Sequence, residues 1–279
     1  MACIRMSLRS RVLDVDTVVN VVIPYDHFDR EGRPKPFMRT LYLLHGLRQN
    51  ADAWQRMSSA ERFANYYGYA LIMPDAQRSF YTDMAHGPRF FTYLTEELPE
   101  IMQAMFKIPA DPAHTYVGGL SMGGYGALKC ALQRPDLYAG AMCFSSGFFT
   151  LNRPNLLIEN GYYSREELQG VIGTDLQADP LDDLAARIRT WPKDQKKPLF
   201  YLACGTEDPL HSLSTEMNAI LQENHFDVCY QEWPGIHDWR FWDVALEKGM
   251  IDMKERLPEE SKRRSKFFRA PFALPLVSP

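Results

Sequence analysis

Short runs of apolar, β-branched residues alternate along this chain with longer stretches whose apolar positions recur every three or four residues. Thr17–Ile23 (TVVNVVI) stops at Pro24 and reads as a strand. Thr40–Leu44 is a second strand running into His45-Gly46, and Tyr69–Met73 a third, broken by Pro74-Asp75. The stretch from Asp26 to Pro36 holds Gly32, Pro34 and Pro36 and reads as a polar turn. Ala51 to Tyr67 predicts one helix, with Trp54, Met57, Ala60, Phe63 and Ala64 on one face and Gly68 as its stop.

The alternation continues. Phe91 to Lys107 carries Leu94, Leu98, Ile101, Met102 and Met105 at helical spacing, and Pro99 predicts a kink. Thr115–Val117 reads as a strand and Met122–Gln133 as a helix. Ala139–Phe144, Leu199–Ala203 and Val228–Trp233 are further strands, with helices over Ser212–Asn224 and Asp238–Arg256. Short apolar strands separated by helices require β-α-β crossovers, hence a mostly parallel sheet with helices on both faces. Residues 148–197 break the rhythm with scattered glycines and X-Pro pairs, and predict an irregular insertion over the carboxyl edge of the sheet, where such folds bind ligands. The organisation expected is one domain over 1–258 and a peripheral tail over 259–279. That tail reads as either a disordered basic segment or an arm on a neighbouring subunit, which leaves a homo-oligomer open.

Composition narrows the classes of function. A net charge of −4 gives no electrostatic reason to expect nucleic acid or an anionic membrane as partner. No run approaches the roughly 20 apolar residues of a membrane span. Residues 1–10 hold no apolar run long enough for a signal peptide, so the expected location is cytoplasmic. The five cysteines are odd in number and form no C-x-x-C pair, which fits reduced thiols better than disulfides or a metal site.

Gly119-Leu120-Ser121-Met122-Gly123 is a G-x-S-x-G motif between a strand and a helix rich in small residues. That context forces a sharp turn, lifts the serine hydroxyl clear, and places it at the positive end of a helix. A serine nucleophile needs a histidine to take its proton and a carboxylate to hold that histidine. In this fold the chain order is serine, acid, histidine. Of His211, His225 and His237, the last follows a strand and the turn Pro234-Gly235 just before a helix, which is where a base belongs. His225 reads as a solvated loop residue and His211 as part of a turn. Asp208, in the loop after Leu199–Ala203, can reach His237; its neighbour Glu207 would point the other way. Asp179, Asp182 and Asp183 fall in the insertion and read as surface charges. The oxyanion donors expected are the N–H groups of Met122 and of Leu47 in the His45-Gly46-Leu47 loop, with His45 structural. Trp54, Tyr81, Phe148 and Trp239 lie in or beside loops expected to ring the serine and are candidate pocket residues.

Leu43-Leu44-His45-Gly46, Tyr81-Thr82-Asp83, Glu96-Glu97-Leu98-Pro99, Gly118 through Ala127, and His237-Asp238-Trp239 resemble the esterase D family, its bacterial tributyrin-esterase branch above all. The resemblance runs from about Val15 to Leu257. It implies an α/β-hydrolase fold, the triad Ser121, Asp208 and His237, small-molecule esters with short acyl chains, and neither metal nor organic cofactor. The expected function is therefore a serine carboxylesterase working through an acyl-enzyme. Feruloyl or acetyl-xylan esterase, S-formylglutathione hydrolase and acyl transfer to a non-water acceptor would use the same triad. A non-catalytic binding protein on this fold is a more distant alternative.

Overall fold

The computed structural model describes residues 1–24, 39–106, 108 and 111–256, so the turn expected over 26–36 and the tail lie outside the described residues. The strands are β1 (Ala2–Ser10), β2 (Val15–Ile23), β3 (Arg39–Leu44), β4 (Tyr69–Pro74), β5 (Thr115–Leu120), β6 (Gly140–Phe144), β7 (Leu199–Gly205) and β8 (Val228–Trp233). The helices are α1 (Ala53–Met57), α2 (Ala60–Tyr67), α3 (Phe90–Thr92), α4 (Leu98–Phe106), α5 (Met122–Gln133), α6 (Pro154–Glu159), α7 (Arg165–Ile172), α8 (Leu184–Arg189), α9 (His211–Glu223) and α10 (Trp239–Glu255). One sheet runs in the order β1-β2-β4-β3-β5-β6-β7-β8. Its first two pairings are antiparallel and the rest parallel.

Both faces of the parallel strands are buried, and successive side chains feed opposite layers. Tyr42 and Leu44 of β3 join Phe200 and Leu202 of β7 in the layer that holds α5 and α9. Leu41, Leu43, Tyr201 and Ala203 point the other way, against Phe63 and Ala64 of α2 and Trp242, Leu246 and Met250 of α10.

Three departures from the expected elements have local causes. β1 is an extra edge strand whose inward residues Ile4, Met6 and Leu8 alternate with exposed Cys3, Arg5, Ser7 and Arg9. The helix expected over Ala51–Tyr67 is two, because Ser58 is extended and its hydroxyl donates to Trp54 O, while Ser59 gives its N–H to the Asp243 carboxylate on α10 at 2.6 Å. Met57, expected on the buried face, is consequently 52% exposed. The irregularity expected at Pro99 is a π-turn over Tyr93–Glu97. Pro99 has no N–H to give the Thr95 carbonyl, and the Arg134 guanidinium takes that carbonyl instead at 3.1 Å.

The segment between β6 and β7 is helical rather than irregular throughout, carrying α6, α7 and α8. Several contacts moor it to the rest of the fold, among them Arg78 to Tyr162 O and Gln133 Nε2 to Leu181 O at 3.0 Å. Ala85 and His86 donate to the carbonyls of Val171 and Gly170 at 3.0 and 2.9 Å. Asp182 is not the surface charge expected from sequence: it is 2% exposed, paired with the equally buried Lys129 of α5, and accepts from Tyr125 OH at 2.7 Å. A lysine and a tyrosine spaced one helical turn apart on an otherwise apolar helix required a buried acceptor, and the insertion supplies it. Asp182→Ala should leave the Lys129 ammonium buried without a partner, costing about 3–5 kcal/mol of unfolding free energy. Urea denaturation followed by tryptophan fluorescence reads this, and the double change Asp182→Leu with Lys129→Met should recover most of the loss. Equal destabilisation by the double change would mean that shape, not charge, is what the pair supplies.

Candidate active site

Ser121 sits between β5 and α5 with φ 54° and ψ −116°, a left-handed conformation that a non-glycine residue adopts only under constraint. The turn is held by Ser121 N–H to Phe144 O at 2.9 Å, and by Gly124 and Gly147 N–H to Ser121 O at 3.1 and 3.2 Å. The flanking glycines are steric requirements. A Cβ on Gly119 would lie 2.6 Å from the Gly123 backbone, and one on Gly123 would lie 2.4 Å from Leu44 O. The Ser121 turn is thus pressed directly against the end of β3.

His237 Nε2 lies 3.2 Å from Ser121 Oγ, and its Nδ1 2.8 Å from Asp208 Oδ2. Nδ1–H donating to the carboxylate leaves Nε2 free to accept from the serine hydroxyl. The second oxygen of Asp208 accepts from Leu210 N–H at 2.8 Å. Burial of Asp208 pushes its carboxyl up, but the hydrogen bond and charge of His237, with Leu210 N–H, more than offset this and hold it below the usual aspartate range. The Glu207 carboxylate takes Gly235 N–H at 2.5 Å, while His237 Nδ1 bonds Asp208. His211, expected in a turn, opens α9 and pairs with Glu232 at 2.8 Å, while His225 lies in the loop after that helix.

The loop after β3 runs beside the serine. His45 is 1% exposed: its Nδ1–H donates to Gly46 O at 2.8 Å, and its Nε2 accepts from Ala76 N–H at 3.0 Å, so both ring nitrogens are used internally. Gly46 N–H is taken by Gln49 Oε1 at 2.8 Å. Leu47 N–H has no protein acceptor among the described residues, and Met122 N–H belongs to the first turn of α5, where no intrahelical acceptor exists. Leu47, Met122, Ser121 and His237 all line one cavity of 310 Å³.

The four aromatic residues expected around the serine do not line that cavity. Trp54, Tyr81 and Phe148 are at most 1% exposed, and Trp239 packs edge-on against Trp54 with ring centroids 5.1 Å apart. Large rings near strand ends fill the core, and their polar atoms serve the backbone. Trp54 Nε1 donates to Leu44 O and Tyr81 OH to His45 O, both at 2.9 Å. The walls are instead Phe80, Leu120, Leu157, Tyr162, Pro209 and Leu210. Pro209 and Leu210 follow Asp208 directly and could have been inferred from that position. Leu157 and Tyr162 arrive on the segment after β6, whose path no periodicity announces.

A family model described as "Putative esterase" matches residues 10–253. The chain belongs to this esterase family. Over 260 residues the esterase is 29% identical to an acetyl esterase of Caldicellulosiruptor saccharolyticus, covering 88% of its own length and 96% of the relative's. It is similar in structure to substrate-bound FphF, a fluorophosphonate-binding serine hydrolase of Staphylococcus aureus, with TM-score 0.76 and 28% identity. An S-formylglutathione hydrolase from the same organism gives 0.75 and 27%, and each comparison covers 90% of this chain and 98% of the other. The esterase is therefore a serine hydrolase of carboxylic esters on an α/β-hydrolase fold. Among the described residues no helix is long and apolar enough to cross a membrane.

The depressed Asp208 carboxyl gives a pH signature. Its ionised form stabilises the fold fully above the ordinary aspartate pKa of about 3.9, and this contribution is lost as pH falls through the lower value it has in the folded esterase. Urea midpoints measured from pH 6 downward should therefore fall more steeply for the wild type than for Asp208→Asn; parallel curves would contradict the assignment.

Proposed function

We propose that this chain is a carboxylesterase of the esterase D type that hydrolyses esters of short carboxylic acids through an acyl-enzyme on Ser121. The observation that carries this reading is the His237 imidazole, bridging the Asp208 carboxylate at 2.8 Å and the Ser121 hydroxyl at 3.2 Å on the wall of a largely apolar cavity. All five cysteines are free thiols, Cys3 among them exposed, which supports a reducing compartment such as the cytoplasm. Desolvation pushes the thiols of Cys130 and Cys204 up to about 12, so they stay protonated and inert.

In this reading His237 Nε2 removes the Ser121 proton as Oγ attacks the ester carbonyl. The N–H groups of Leu47 and Met122 receive the oxyanion, and Asp208 stabilises the imidazolium and keeps Nδ1 protonated. The imidazolium then protonates the leaving alcohol, and water, deprotonated by the same nitrogen, releases the acid. The cavity of 310 Å³ lies at the small end of ligand sites, and its Leu120, Leu157 and Leu210 walls suit a short alkyl chain.

A panel of p-nitrophenyl esters from acetate to palmitate, with methyl ferulate and S-formylglutathione, tests this on wild type and Ser121→Ala. Acetate and butyrate should turn over fastest, and the substitution should lower kcat by about a millionfold with the fold unchanged. Preference for ferulate or the thioester would move the substrate class while keeping the machinery. Activity that survives in Ser121→Ala would refute the serine, and inactivity on every ester would turn attention to a binding role.

A further inference from the structure

We propose that Glu207 is a positioning residue that sets the separation between Asp208 and His237, by holding both polar backbone groups of Gly235. The inference rests on the reading of Asp208 and His237 as acid and base. β7 and β8 pair in register up to Gly205 opposite Trp233, and the acid and the base lie beyond that point, on two separate loops. Loops leaving the end of a sheet diverge unless something continues the ladder. Here backbone bonds carry it two steps further, with Thr206 N–H to Trp233 O and Glu207 N–H to Gly235 O, both at 3.1 Å.

The Glu207 side chain then supplies what the ladder lacks. Its Oε2 accepts from Gly235 N–H at 2.5 Å, so one residue grips both the N–H and the C=O of Gly235. Asp208 is the next residue after this grip, and His237 lies two residues beyond Gly235. The approach is tight enough to exclude side chains. A Cβ on Gly205 would lie 2.2 Å from Gly235 O, and one on Gly235 would lie 2.8 Å from the Phe241 ring. The hydrogen bond from Gly235 N–H holds the Glu207 carboxyl below the usual glutamate range, so the accepting oxygen is ionised at neutral pH and the bond is charge-assisted. Glu207 is exposed and touches neither Ser121 nor the cavity wall, so its influence passes through the two loops alone.

The test is Glu207→Ala beside Glu207→Gln, with kcat and KM on p-nitrophenyl butyrate and the low-field proton resonance of the His237 Nδ1–H hydrogen bond. Glu207→Ala should lower kcat about 10- to 100-fold with KM nearly unchanged, and should broaden or shift that resonance. Glu207→Gln, whose amide oxygen can still accept Gly235 N–H, should restore most of both. Wild-type kcat in Glu207→Ala would overturn the proposal, as would equal damage from the two variants or an undisturbed Nδ1–H signal. Should the alanine variant not fold, Glu207→Asp, which draws the carboxylate back by one methylene, gives the same reading. The resonance reports Asp208–His237 geometry without turnover. A failure of the catalytic assignment therefore shows in Ser121→Ala, and a failure of the positioning role shows in the resonance.

Discussion

The backbone of Ser121 can be left-handed only because the start of α5 presses against the end of β3 with no side chain between them. This contact places a strained serine, the first turn of a helix and the Gly46-Leu47 loop within one small volume. Strain of this kind costs of order 1–3 kcal/mol per residue, and it is not confined to Ser121. Phe80 and Ser145 also have positive φ, at 51° and 45°. Phe80 lines the cavity, and Ser145 leaves β6 beside the Ser121 turn. The surrounding sheet over-determines these conformations, since Ser121 N–H and Ser145 N–H both bond to strand carbonyls, of Phe144 and Ala203.

Everything that touches the Gly46-Leu47 loop from below fixes it rather than offering it to a substrate. Trp54 and Tyr81 bind the carbonyls of Leu44 and His45, and His45 spends both ring nitrogens on the backbone. A donor pair for an oxyanion is useful only if it is aimed before charge develops. Buried aromatic rings with a single polar atom suit this role, because they fill volume and fix one carbonyl each. The insertion is fixed by different physics. The Lys129–Asp182 pair contributes little net stability against an apolar alternative but has few other partners within the core. It joins the insertion to α5 at Asp182, while Tyr162, on the cavity wall, is held separately by the Arg78 guanidinium on its carbonyl.

These distinctions explain what the sequence could and could not disclose. The alternation of strands and helices, the G-x-S-x-G turn and the order of Ser121, Asp208 and His237 depend on local pattern and chain order, and were legible. β1 was not, because an edge strand buried on one side shows only Ile4, Met6 and Leu8 in alternation. The break at Ser58-Ser59 depends on Asp243, far away in the chain. Asp182 looked like one surface acid among three, since its partners Lys129 and Tyr125 stand more than fifty residues earlier. Trp54, Tyr81 and Phe148 were expected to line the pocket and are buried in the core instead, because sequence cannot say which face of a loop a ring will fill.

The sheet itself explains why the proposed acid–base pair of Asp208 and His237 gains from a device such as Glu207. Neighbouring strands are spaced about 4.8 Å apart, so β5, which carries the serine, lies roughly 14 Å from β8, which precedes the histidine, by the same spacing. His237 is four residues past the end of β8, and an extended chain covers at most about 3.5 Å per residue. With the reach of the imidazole added, the segment from Trp233 crosses β7 and β6 with length to spare, and it is bent rather than extended at Pro234 and His237, so its length alone does not fix where His237 lies. Asp208, on the loop after β7, stands on the way and meets the imidazole from the far side of the serine. A span with slack gains from an anchor near its midpoint, and Gly235, held at both polar groups by the residue that precedes Asp208, occupies that position.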